Sequence, residues 1–100
     1  MDKKEAINKV KQYKLLLAKH FDLDAVYLYG SYAKNTTQED SDIDVAVIVR
    51  NITGDFFSVN PLLWKLRRQV DDRIEPFLID KNNDKSGFLE EIKRTGIEIG

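Results

Sequence analysis

Ala6, Val10, Tyr13 and Leu17 recur at helical spacing behind a capping-box pair, Asp2 and Glu5, and this pattern predicts a first helix running to about His20. Residues 25–29 are β-prone and end at Gly30, which predicts a short strand whose exit is a tight turn. A polar, turn-like stretch follows at 35–41. The near-continuous aliphatic run 43–49, bounded by Arg50 and Asn51, then predicts a central, well-buried strand. Residues 51–58 carry Gly54 and two phenylalanines, and read as a loop packed onto the body through Phe56 or Phe57.

Asn60 and Pro61 have the residue types of a helix start: asparagine caps, proline suits the first helical position, and Val59 can staple against Trp64. Leu62, Leu63, Leu66 and Val70 form the apolar stripe of that helix, leaving Lys65, Arg68 and Gln69 exposed. Residues 73–79 predict a strand in which Pro76 favours an edge or a bulge. After a polar loop at 80–85, Ser86 is placed to cap a short helix through Arg94, Gly96 to stop it, and residues 97–99 to add a last strand. The order helix, strand, strand, helix, strand, helix, strand defines an α/β (α+β) protein, a small mixed β-sheet with helices packed mainly on one face.

One hundred residues suit a single domain, 1–100, with no room for a second. A net charge of -1 and the lack of a basic run argue against a nucleic acid partner, which needs a concentrated cationic surface. The chain has no cysteine, so disulfides and thiolate metal sites are excluded. Its charged N-terminus lacks a signal-peptide core, and no apolar run approaches the ~20 residues of a membrane span, so a cytoplasmic location is expected. His20, the sole histidine, reads as a helix-end or surface residue, and Arg67 and Arg68 as a solvated helix face.

Asp42 and Asp44 change this picture most. One residue apart on a strand, their carboxylates point to the same face and repel each other unless a cation sits between them, a geometry suited to divalent metal chemistry. Asp-x-Asp alone is weak, because acidic pairs often flank strands as solvated residues. Here it follows Gly30-Ser31 after ten intervening residues, and an aliphatic strand follows it.

This combination resembles the Gly-Ser and Asp-x-Asp signature of the DNA polymerase beta-like nucleotidyltransferase superfamily, most closely its minimal, single-domain branch. The resemblance implies a two-layer nucleotidyltransferase fold and a Mg²⁺-dependent transfer of a nucleoside monophosphate, AMP from ATP, to an acceptor hydroxyl. It implies a two-ion site at Asp42 and Asp44, completed by a third carboxylate on a neighbouring strand that also assists deprotonation of the acceptor. Glu75 is the first candidate, since it interrupts the apolar pattern of the next predicted strand; Asp71 and Asp72 are rivals that read as helix-end or turn residues. Gly30 and Ser31 would hold the triphosphate tail through backbone N–H groups and the serine hydroxyl. Where the family commonly has a second glycine this chain has Asn35, the non-glycine residue best able to keep a left-handed turn. Members of the minimal branch often act as antitoxins beside a HEPN-domain toxin, so a separate protein partner is expected, and adenylylation of a toxin tyrosine is the activity implied. The competing reading is a non-catalytic module that neutralises or scaffolds a helical partner. It gives no reason for two adjacent carboxylates.

Overall fold

The computed structural model describes residues 2–30, 42–50, 56–82 and 87–100, with side chains from Val59 onward in the third of these segments. Asp2 caps α1 (Lys3–Leu17), its Oδ1 accepting the Glu5 N–H at 2.8 Å. The helix buries the expected stripe, Ala6, Val10, Tyr13 and Leu17. It stops short of His20 because the Lys19 and His20 N–H groups turn to the Leu16 and Leu17 carbonyls, tightening the last turn to i→i+3 bonding.

β1 (Leu23–Tyr29), β2 (Ile43–Val49), α2 (Phe56–Arg67), β3 (Ile74–Asp80), α3 (Phe88–Thr95) and β4 (Ile97–Glu98) follow in order. The strands lie side by side as β3-β2-β1-β4. β1 runs antiparallel to β2 and β4, whereas β2 and β3 are parallel, joined through α2 as a parallel pair requires a crossover. β3 is therefore an edge strand, the place where Pro76 loses least by lacking a donor.

Strand alternation sends Val26, Leu28, Ile43, Val45, Val47, Ile74 and Leu78 to one face, where they pack with Ala6, Val10, Tyr13 and Leu17 of α1 and Leu63 and Leu66 of α2. The buried Tyr13 hydroxyl donates to the Leu63 carbonyl at 2.7 Å, joining the two helices across the core. Burial pushes that phenol up from its ordinary pKa, against the pull of the Arg67 charge. Tyr27, Ala46, Ile48 and Ile79 point to the opposite face, under Leu89 and Ile92 of α3. Among the described residues two helices thus cover one face and a shorter one covers part of the other. Gly96 links α3 to β4 at a close approach: a Cβ there would lie 2.7 Å from the Ile92 carbonyl oxygen and 3.1 Å from that of Leu28.

Two helix starts depart from the sequence expectation. α2 begins at Phe56, so the predicted loop is helical from that point, and Asn60-Pro61 lies inside the helix instead of capping it. Val59, Leu62 and Leu63 all pack against the core, and this burial outweighs the local preference of a residue before proline for extended backbone. The Trp64 ring lies under the Arg67 guanidinium at 4.6 Å. Residues 51–55 and the side chains of Phe56 and Phe57 lie outside the described residues. α3 is capped by Gly87 in a left-handed conformation (φ 77°) with no side-chain cap bond, so the predicted Ser86 cap, which lies outside the described residues, is one position too early.

Asp71 fastens the entry to β3. Its carboxylate accepts from the Arg73 N–H at 2.8 Å, from Nε at 3.1 Å and from Nη2 at 2.8 Å, and pairs with Lys9 Nζ of α1 at 3.2 Å, with only 10% of the side chain exposed. Hydrogen bonding from Arg73 holds this carboxyl well below the usual carboxylate range, despite burial. A depressed folded pKa contributes stability that is complete above the unfolded value of about 4 and is lost as pH falls through the folded value. Asp71→Asn is therefore expected to lower stability at neutral pH by about 1–3 kcal/mol and to flatten the acid limb of the stability curve, as measured by denaturant melts between pH 2 and 7.

Candidate active site

Residues from three adjacent strands meet in one transverse row. Asp44 of β2 is paired with Tyr29 of β1 on one side and with Glu75 of β3 on the other. All three lie on the face that carries α3, and Asp42, two residues before Asp44, shares their parity. Neighbouring strands lie about 4.8 Å apart, so this register brings the Asp44 and Glu75 carboxylates, distant in sequence, within direct electrostatic reach.

Burial and this proximity act together on the carboxyls. Burial and then the Asp42 charge push the Asp44 carboxyl up. Glu75 is likewise raised by desolvation, by the charge of Asp42, by a side-chain hydrogen bond with Asp42 and by the charge of Asp44, while Arg67 opposes the shift. The Tyr29 phenol is raised by burial and by Asp44 and Glu75. Asp42 influences both other carboxylates, and its side chain is the one hydrogen-bonded to Glu75. Asp71 is engaged by Arg73 and Lys9, with no influence from Asp42 or Asp44, and Asp72 is exposed.

Gly30 closes the row at the β1 end. Its φ of +72° is left-handed, and an added Cβ would collide with Oδ2 of Asp44 and lie 3.2 Å from its Cγ. The glycine therefore serves both the turn and the space occupied by Asp44. Gly30→Ala is expected to cost ~1–2 kcal/mol in backbone strain alone and to displace Asp44, so both the melting temperature and nucleotide-dependent turnover should fall. Ser31 lies outside the described residues.

Arg67 supports the Glu75 end. Its Nη1 donates to the Asp72 carbonyl at 2.7 Å and to the Ile74 carbonyl at 3.0 Å, tying the end of α2 to the residue before Glu75. Sequence reasoning took Arg67 for a solvated residue. Arg67 carries no sequence signal of its contacts, and the position of Tyr29 follows only from the β1–β2 register.

The donor set fits a hard divalent cation. Asp42, Asp44 and Glu75 offer only carboxylate oxygens, and burial followed by mutual repulsion raises Asp44 and Glu75, a penalty that a shared cation relieves. Among the described residues no three such side chains form a closed ligand cluster.

Residues 9–100 match the family model described as polymerase beta, nucleotidyltransferase. A protein of Methanocaldococcus jannaschii, provisionally named a protein adenylyltransferase, is 30% identical over 79 residues, covering 77% of this chain and 79% of the relative. The protein adenylyltransferase MntA of Shewanella oneidensis is 28% identical over 95 residues, covering 95% of this chain and 66% of the relative. Among solved structures, a toxin–antitoxin crystal structure with AMP-PNP superposes with a TM-score of 0.66 at 29% identity, over 93% of this chain and 73% of that one.

Proposed function

The chain belongs to the polymerase beta nucleotidyltransferase family, and from that premise we propose that it transfers AMP from ATP to a hydroxyl group of a partner protein, using Mg²⁺, as the cytoplasmic antitoxin of a HEPN toxin. The observation that carries this reading is the Tyr29–Asp44–Glu75 row, with Asp42 coupled to both Asp44 and Glu75. The relatives named protein adenylyltransferases support the donor and the class of acceptor, and the toxin–antitoxin structure with AMP-PNP supports a nucleotide and a protein partner. No described helix is long and apolar enough to cross a membrane.

Asp42, Asp44 and Glu75 would hold the metal. Bound there, Mg²⁺ supplies positive charge to the phosphoryl oxygens as charge develops on them. Gly30 lets the backbone approach the triphosphate tail, and Ser31 would donate to it. Glu75 takes the proton of the acceptor hydroxyl; the oxygen so freed forms a bond to the α-phosphorus, and the bond from that phosphorus to the bridging oxygen breaks, its electron pair leaving with pyrophosphate. Before any cation binds, burial and then the neighbouring Asp42 and Asp44 carboxylates raise Glu75.

The test incubates the chain with α-labelled ATP, Mg²⁺ and a purified HEPN-domain protein. Acid-stable label on the partner is the expected result. Equal labelling by an Asp42→Asn/Asp44→Asn variant, or none by the wild type, would sink the proposal.

A further inference from the structure

Phe77 lies on β3 two residues beyond Glu75 and on the same face, about 7 Å further along the strand. Half of its surface is exposed, and it is one of the few large apolar side chains among the described residues to stand in solvent. A single exposed apolar residue needs no explanation, but this one is braced. Phe88, the first residue of α3, packs on it with ring centroids 5.1 Å apart at 54°, and meets Tyr29 edge-on at 5.8 Å and 87°. Tyr29 is in turn the partner of Asp44, so an aromatic ledge runs from the catalytic row to Phe77 on β3, which stays half exposed although Phe88 packs on it.

We infer that this ledge, with Phe77 at its exposed end, seats the acceptor-bearing segment of a partner polypeptide, one whose hydroxyl is flanked by apolar or aromatic side chains. The inference rests on the proposed nucleotidyl transfer and assigns the acceptor side of that site. An in-line displacement puts the attacking oxygen opposite the leaving pyrophosphate. With the triphosphate tail against Gly30 at the β1 end of the row, the acceptor approaches from the β3 end, over Glu75 and Phe77. The phenyl rings there offer contact area and no hydrogen bonds, which matches an apolar stretch of polypeptide and not a small polyhydroxylic acceptor.

Two peptides test this: acetyl-Phe-Ser-Leu-amide, and acetyl-Asp-Ser-Lys-amide with the same hydroxyl between charged neighbours. Each is offered to the full chain with α-labelled ATP and Mg²⁺. The wild type is expected to label the apolar peptide with a kcat/KM about tenfold higher, and Phe77→Ser to erase that preference. Affinity for a nucleotide analogue with an uncleavable α–β bridge should change less than about twofold in Phe77→Ser, and its melting curve should stay cooperative, since the residue is half exposed. The inference is overturned if the wild type shows no preference, if it cleaves ATP but labels neither peptide, or if Phe77→Ser weakens analogue binding instead, which would give the ledge to the nucleobase. A wild type that neither binds the analogue nor cleaves ATP refutes the nucleotidyl transfer itself, a result separate from these three.

Discussion

An Asp42→Asn/Asp44→Asn variant is expected to lose nucleotidyl transfer by on the order of a thousandfold while melting at the same temperature as the wild type or above it. The two effects have one cause. Asp44 is pushed up by burial and by the neighbouring Asp42 charge, and a carboxyl whose folded pKa exceeds its unfolded value costs stability once pH rises through the folded value. At neutral pH the pair is therefore a source of repulsion that the fold tolerates, and neutral amides of the same size relieve it. Initial rates with α-labelled ATP, set beside thermal melts at pH 7, read both quantities. Loss of activity together with a large fall in melting temperature would instead make the pair a structural element, and retained activity would remove it from the chemistry.

Glu75→Gln is expected to abolish turnover, by roughly a hundred- to ten-thousandfold, while the chain still binds ATP. Glutamine keeps the size and the strand position of the residue but cannot accept the acceptor proton. Gly30, the residue proposed to hold the triphosphate tail, follows β1, two strands away from position 75, and is left intact. Calorimetric titration with the uncleavable analogue and a transfer assay separate the two properties. Turnover that survives the substitution would move the third-carboxylate role to Asp71 or Asp72. Asp71 is poorly placed to take it, since Arg73 and Lys9 already occupy its carboxylate.

Features with a local cause were legible in the sequence. The α1 stripe and its Asp2 cap depend on helical spacing, and β2 depends on an aliphatic run whose bounds coincide with the strand. The same period of two that defines β2 places Asp42 and Asp44 on one face, which is why the close carboxylate pair could be read before any fold was known. The starts of α2 and α3 were misread for a complementary reason. Asn60-Pro61 and Ser86 carry strong local signals, but burial of Val59 and Leu62 extended one helix backwards, and the left-handed Gly87 began the other without a side-chain cap.

By itself, then, the sequence determined the secondary elements, the carboxylate pair and the Gly30 turn, all products of interactions spanning a few residues. Only the tertiary structure decided that β2 and β3 run parallel with Asp44 opposite Glu75, that Gly30 lies against the Asp44 carboxylate, that Arg67 reaches the Ile74 carbonyl and that Phe77 stays open beside Phe88. Each of these contacts joins segments that no periodicity connects. Register between strands is set by which apolar face the whole sheet buries, a property of the assembled core.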